Sequence, residues 1–172
     1  MAVGLLLSLN LKVSAVPFNF TFNGGDITAV GGLSMISNGD GSFTATSGYI
    51  DVSGGAYPGD YNLVSNPTGT GLAISPLRFL AYDDQYFPNQ PAALLDYFGL
   101  LFADPAGNLE VKLWGIGNST YYIIAASPAG PVNSGTDADV SFASPAPDGG
   151  LTAAMLGMGL LGLGWMRGMR TA

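Results

Sequence analysis

The fold class is decided by three consecutive stretches, Phe98-Gly-Leu-Leu-Phe-Ala103, Leu109-Glu-Val-Lys-Leu-Trp-Gly115 and Thr120-Tyr-Tyr-Ile-Ile-Ala-Ala126. Each is a short apolar run, and the first two are joined by Asp104-Pro-Ala-Gly-Asn108, whose Pro and Gly favour a tight turn. In the second run, apolar residues alternate with Glu110 and Lys112, which predicts that the apolar side chains face a core and the two charged ones face water. We therefore expect an antiparallel meander here.

The same kind of pattern extends toward the N-terminus. Phe18-Asn-Phe-Thr-Phe22 alternates aromatic and polar residues, which is typical of a half-buried strand. Asn38-Gly-Asp-Gly41 predicts a hairpin turn between strands at residues 27–37 and 42–52, because Asn and Gly accept the positive φ of tight turns. We predict further strands at residues 61–64, 77–82 and 137–142, and loops at 83–91 and 129–136. These elements predict an all-β, antiparallel β-sandwich or jelly-roll-like body spanning residues 16–144.

Composition excludes several function classes. The 172 residues include no Cys and no His, which removes thiolate chemistry, disulfides, the commonest general base and the commonest transition-metal ligand. Charged residues make up only 10% of the chain. Between residues 16 and 147 there are eleven acidic and two basic residues, giving a net charge of −9. Nucleic acid and anionic lipid are therefore not expected as partners of the body.

Two kinds of site can be considered within the body. Asp83 and Asp84 are weak calcium candidates, against the simpler interpretation of a solvated acidic loop, and no other metal or cofactor is indicated. Tyr82, Tyr86 and Phe87 flank that loop and would suit a sugar-binding face if they were exposed. A secreted glycan hydrolase would need two carboxyl groups across a cleft, one of them with a raised pKa. Because no catalytic motif is present, we predict a non-enzymatic protein, with a carbohydrate-binding module and a hydrolase as alternatives.

The two ends of the chain indicate export. Residues 1–15 are apolar and end in Val13-Ser-Ala15, with small or β-branched residues where signal peptidase requires them. This predicts a signal peptide cleaved after Ala15. Residues 149–166 form an uncharged run of 18 residues, and a helix of this length spans about 27 Å, the lower limit for crossing a bilayer. Within this run we predict a transmembrane helix at residues 151–166. Arg167 and Arg170 follow directly in a basic tip (167–172), which predicts a cytoplasmic C-terminus with the body outside.

The tail at 145–172 resembles the PEP-CTERM sorting signal of bacterial envelope proteins. Gly159-Leu-Leu-Gly-Leu-Gly164 matches the Gly/Leu-rich membrane segment of that family, and Ala146-Pro-Asp-Gly-Gly150 is closest to its Val-Pro-Asp-x-Gly variant, with Ala in place of Val. The resemblance implies processing by an exosortase-type membrane enzyme in the motif at 145–150. The motif residues that carry this implication are Pro147, Asp148, Gly149 and Gly150.

Taken together, these features predict an exported cell-surface or extracellular-matrix protein. Signal peptidase and an exosortase-type enzyme are its expected processing partners, and an exopolysaccharide is a possible partner afterwards. The chain would be held in the inner membrane until processing and would then reach the cell surface or the medium. The role of the body after sorting is left open between a structural and a carbohydrate-binding one.

Overall fold

The structure is a computed structural model that describes residues 15–90, 94–137 and 141–143, and it confirms the predicted all-β antiparallel class. The strands are β1 (Val16–Gly24), β2 (Ile27–Ser37), β3 (Phe43–Gly54), β4 (Gly59–Leu63), β5 (Ala73–Ile74), β6 (Ala81–Tyr82), β7 (Gln85–Tyr86), β8 (Leu100–Ala103), β9 (Glu110–Gly115), β10 (Tyr121–Ser127), β11 (Gly130–Asp137) and β12 (Ser141–Ala143). The described part of the chain contains no helix long and apolar enough to cross a membrane.

One curled sheet forms most of this fold. Its strand order is β11-β10-β9-β8-β4-β3-β2-β1-β12, with β7 paired to β3, while β5 and β6 form a separate two-stranded sheet. β11 and β12 stand at opposite ends of that order, yet only residues 138–140 separate them in the chain. Four Cα–Cα steps reach at most about 15 Å, so the sheet must curl until its two ends meet. Contacts between β1 and β11 agree with this closure.

Curling brings the β1–β3 half of the sheet over the β8–β10 half. Phe20 of β1 and Phe102 of β8 meet across the interior with ring centroids 6.2 Å apart. Both rings belong to one core cluster that draws on β1, β2, β3, β4, β8, β9 and β10. Consecutive strands mostly lie side by side, as in a meander. The two packed layers therefore come from one sheet folding over itself, whereas a jelly roll is built from two Greek keys.

The β1–β3 half follows its sequence pattern closely. Phe18, Phe20 and Phe22 are buried while the residues between them are exposed, as predicted. Phe20 is paired with Gly31 of β2, and its ring occupies the space where a side chain would be. A Cβ built on Gly31 would lie 2.3 Å from Phe20 Cζ. The predicted turn after β2 is also confirmed: the Asp40 carboxylate accepts the Ser42 backbone N–H at 2.9 Å and its hydroxyl at 2.6 Å.

Most of the β8–β10 half is buried on both faces. The predicted meander is present, but the prediction that Glu110 and Lys112 face water is wrong, since they are 1% and 6% exposed. The segment between β4 and β8, which includes the β5–β6 sheet, lies over the outer face. Tyr82 of β6 packs with Leu101 of β8 and Ala126 of β10 in a second, smaller core cluster.

Two local predictions are also wrong. Residues 77–80 form a turn and not a strand, because the Arg78 N–H donates to the Ser75 carbonyl at 2.8 Å and Arg78 has φ +68°. Residues 130–136, which belong to the predicted loop at 129–136, form most of β11 along β10, with a register irregularity at Ile124/Ala125. Backbone pairing with a neighbouring strand therefore decides this segment more than its own composition.

Candidate functional site

Of the predicted processing residues, Ala15 alone lies in the part of the chain that the structure describes. Ala15 is exposed and directly precedes β1. The motif residues Pro147, Asp148, Gly149 and Gly150, the membrane segment 151–166, and Arg167 and Arg170 lie outside the described residues, as does the signal segment before Ala15. The chemistry that the structure does describe is concentrated between the outer face of β8–β10 and the segment that covers it.

Asp83 and Asp84 lie inside this covered region. They are 5% and 0% exposed, so the prediction of a solvated acidic loop is wrong. Their backbone N–H groups both donate to the Gly99 carbonyl, at 3.3 and 3.0 Å. The Asp84 carboxylate accepts the Leu101 N–H at 3.3 Å, and its carbonyl accepts the Ala45 N–H at 2.8 Å. The two acidic residues therefore fasten the segment to β3 and β8.

Gly99 is required for this attachment. It has φ +57°, a conformation that residues with a Cβ adopt at a cost. A Cβ at this position would lie 2.2 Å from the Leu113 carbonyl oxygen. The close approach to β9 therefore excludes any larger residue. The Gly99 N–H donates to Asp96 Oδ1 at 2.9 Å.

The carboxyl group of Asp83 lies within electrostatic reach of Asp96. Burial, together with the neighbouring negative charge of Asp96, raises the pKa of Asp83 to about 7. Burial likewise raises the pKa of Asp84 to about 8. Asp96 is held from the other side by the Phe98 and Gly99 N–H groups, both 2.9 Å from Oδ1. At neutral pH this cluster therefore carries less negative charge than its sequence suggests.

Lys112 supplies the positive charge of the cluster. Burial lowers the pKa of its ammonium group to about 8, although the charges of Asp96 and Asp83 act in the opposite direction. Nζ donates to the Tyr97 carbonyl at 3.0 Å. It also lies 5.3 Å from the ring centroid of Tyr97 and 5.0 Å from that of Trp114. Both distances are within the range of cation–π attraction, so Lys112 links the acidic cluster to the aromatic surface outside it.

That aromatic surface is formed by Tyr97, Trp114 and Tyr122. Trp114 of β9 and Tyr122 of β10 are directly paired across the strands, and their rings stack with centroids 5.4 Å apart and planes 19° apart. Tyr97 is 66% exposed. Next to it, a groove of about 290 Å³ runs between Asp96–Tyr97 on one side and Gly115–Gly117 on the other, with Gln90 at its rim.

The aromatic residues singled out from the sequence are in a different place. Tyr82 and Tyr86 are 2% and 5% exposed and belong to the two core clusters, so the alternative of a sugar-binding face at Tyr82–Phe87 loses two of its three rings. The sequence did contain a signal for the actual surface. Trp114 and Tyr122 both fall on the strand phase opposite the core residues, which places them on the outer face once strand pairing is known.

The acidic cluster of Asp83, Asp84 and Asp96 is better placed to stabilise the fold than to act on a substrate. Asp83 and Asp96 meet one requirement for glycoside hydrolysis, a carboxyl pair with one raised pKa. However, Asp96 borders the groove whereas Asp83 does not, and the burial of Asp83 keeps it from a substrate. Within the described ranges, no three acidic side chains are grouped so that they could hold a metal ion.

Comparison with known proteins adds no relative. No protein-family model, no curated protein and no solved structure matches this chain.

Proposed function

We propose that this chain is an exported, non-enzymatic surface protein, whose sandwich-like β body is delivered by an N-terminal signal peptide and an exosortase-type sorting tail. The observation that carries the proposal is the position of the folded sheet between the two predicted processing sites. β1 begins at Val16, directly after Ala15, and β12 ends at Ala143, shortly before the motif at 145–150. Cleavage at both sites would remove no strand of the described fold.

The tail gives the proposal its cellular setting. In this scheme residues 151–166 cross the inner membrane as a helix, and Arg167 and Arg170 hold the C-terminus in the cytoplasm. Signal peptidase acts after Ala15, and the exosortase-type enzyme acts within Pro147–Gly150. The body then reaches the cell surface or the extracellular matrix, where an exopolysaccharide is its proposed partner.

Two observations favour a non-enzymatic body that works without a cofactor. First, Asp83 is enclosed, so the Asp83–Asp96 pair cannot flank a bound glycosidic bond. Second, Oδ1 of Asp83 accepts the Gln85 N–H and Oδ1 of Asp84 accepts the Leu101 N–H, and a calcium ion would have to compete with these bonds. The hydrogen bonds instead hold the covering segment in place.

Mass spectrometry of the protein recovered from its native host tests the proposal. We expect a mature chain that begins at Val16 and ends between Pro147 and Gly150. Substitution Asp148→Ala should leave the tail attached and the protein in the membrane fraction. Asp51→Ala, at an exposed position on β3, is the matched control and should be processed normally. Recovery of a chain intact through Ala172 from the extracellular fraction would contradict the proposal.

A further inference from the structure

The groove beside Tyr97 combines an exposed aromatic ring with apolar and polar residues. Its lining includes Tyr97 and Ile116, both exposed, together with the polar residues Asp96 and Gln90. Apolar and hydrogen-bonding groups therefore face the same space of about 290 Å³. Ligand sites are typically built in this way, from apolar walls with a few placed polar groups.

The walls of the groove are held in fixed positions. The Gly115 N–H donates to the Asp96 carbonyl at 2.9 Å, which ties the β9 end to the segment bearing Tyr97. Lys112 fixes the Tyr97 backbone through the 3.0 Å hydrogen bond and lies against its ring. The Tyr97 ring also meets Phe98 edge-on, with centroids 5.8 Å apart. An exposed aromatic ring that is immobilised from below loses little conformational entropy when a ligand stacks on it.

We propose that this groove binds a neutral polysaccharide, with a pyranose ring stacked on Tyr97 and its hydroxyl groups bonded to Gln90 and Asp96. A pyranose presents an apolar C–H face and a polar hydroxyl rim, which matches a groove of this mixed composition. Trp114, which stacks on Tyr122, lies near Tyr97, because Lys112 Nζ is 5.3 Å from the ring centroid of Tyr97 and 5.0 Å from that of Trp114.

The charge of the molecule decides which class of glycan fits. The body between residues 16 and 147 carries eleven acidic and two basic residues, and Asp96 lines the groove itself. Lys112 is buried beneath the rings and offers its ammonium group to the protein. A polyuronate would therefore meet repulsion, whereas a neutral polymer would not. This site deepens the proposed function and rests on the exopolysaccharide partner named there, but it does not depend on how the sorting tail is processed.

Fluorescence titration of the full chain in detergent tests the inference. In a Trp165→Phe background, Trp114 is the one remaining indole of the sequence. We expect hydroxyethylcellulose, laminarin or galactomannan to change its emission saturably, and alginate to leave it unchanged. Tyr97→Ala should weaken the affinity at least tenfold, and Tyr97→Phe should retain most of it because the ring is kept. Ile116→Ala provides a second groove variant.

Tyr49→Ala is the matched control, since Tyr49 is 55% exposed but lies on β3 in a separate groove against Gly32. It should leave the affinity within twofold of the parent. The inference is overturned if none of the three neutral polymers binds, if Tyr97→Ala binds as well as the parent, if Tyr49→Ala loses binding equally, or if alginate binds best. Because these outcomes concern the body, they leave the processing result at Val16 and Pro147–Gly150 unaffected.

Discussion

The β1–β3 half and the β8–β10 half of the curled sheet share one core but differ on their outer faces. Along β1, buried and exposed residues alternate regularly. Along β9, five of six residues are buried, including Glu110 and Lys112. The alternation in sequence is as clear along β9 as along β1, whereas β8 and β10 are continuous apolar runs. It shows which side chains point toward the core, but it does not show whether the opposite face is in water.

The cause of the difference is the long connection between β4 and β8. These two strands pair with each other, although the β5–β6 sheet and β7 lie between them in the chain. The intervening segment must therefore return to the same edge, and it does so across the outer face of β8–β10. Its hydrogen bonds then reach β9 directly, as when the Leu77 N–H donates to Glu110 Oε1 at 2.8 Å.

The largest expected effect is that of a variant which tests whether the outer face of β8 is fully buried under the covering segment. Leu101→Ala removes a fully buried side chain from that face and should lower the free energy of unfolding by about 2–5 kcal/mol. The matched change on the other half is Val30→Ala on β2, where the side chain is 46% exposed, and it should cost less than about 1 kcal/mol. Urea denaturation measures both. Equal effects would show that the segment does not cover β8 as described.

The same comparison shows how far the sequence predicted the fold. Phe18, Phe20 and Phe22, and the turn at Asn38–Gly41, were predictable because strand alternation and turn chemistry act over a few residues. The burial of Glu110 and Lys112 was not, because it depends on a segment more than ten residues away that folds back over them. β11 was missed for a similar reason, since its own composition favours a loop.

The candidate site was the least predictable part. Asp83 and Asp84 were noticed as a pair, but their sequence context of polar residues and Pro suggested exposure. The turn at Gly99 brings Asp96 and Tyr97 close to these two residues. No local sequence pattern predicts this turn. Composition correctly emphasised acidic and aromatic residues. The packing of the covering segment on the β8–β10 half determines which of these residues are enclosed and which are available to a ligand.

A second prediction concerns the pH dependence of stability. Burial raises the pKa of Asp83 to about 7 and that of Asp84 to about 8, well above their ordinary value of 3.8. The folded state therefore binds these protons more tightly than the unfolded state. The stability they contribute is complete below about pH 4 and is lost as the pH rises through 7 and 8. We expect the free energy of unfolding to be higher at pH 5 than at pH 8.

Two variants test whether this pH dependence comes from the carboxyl groups buried over the β8–β10 half. Asp84→Asn keeps a side-chain oxygen for the Leu101 N–H and removes the titrating group, so the difference between pH 5 and pH 8 should shrink. Asp51→Asn, at an exposed position on β3, should leave the difference as in the parent. Urea midpoints at the two pH values give the measurement. A parent protein that is more stable at pH 8 would contradict the burial of these carboxyl groups.

The smallest expected effect concerns a difference between the turns of the two halves. The β2–β3 turn has Gly39 and Gly41 at its positive φ values, whereas the β9–β10 turn places Asn118 and Ser119 at φ +52° and +55°. The Thr120 N–H donates to the Gly117 carbonyl at 3.0 Å, so the turn is of type I′, which favours Asn-Gly. Ser119→Gly should therefore raise the free energy of unfolding by about 0.5–1 kcal/mol.

The control for this gain is the same substitution in a strand. Ser53 lies in β3 opposite Thr28, outside the positive φ region, and Ser53→Gly should destabilise the protein because glycine weakens a strand interior. Opposite signs for one chemical change would show that backbone conformation, and not the loss of the hydroxyl group, sets the effect. If both variants are destabilised, the β9–β10 turn does not have the left-handed geometry described, and the adjoining wall of the groove at Gly115–Gly117 would have to be reconsidered with it.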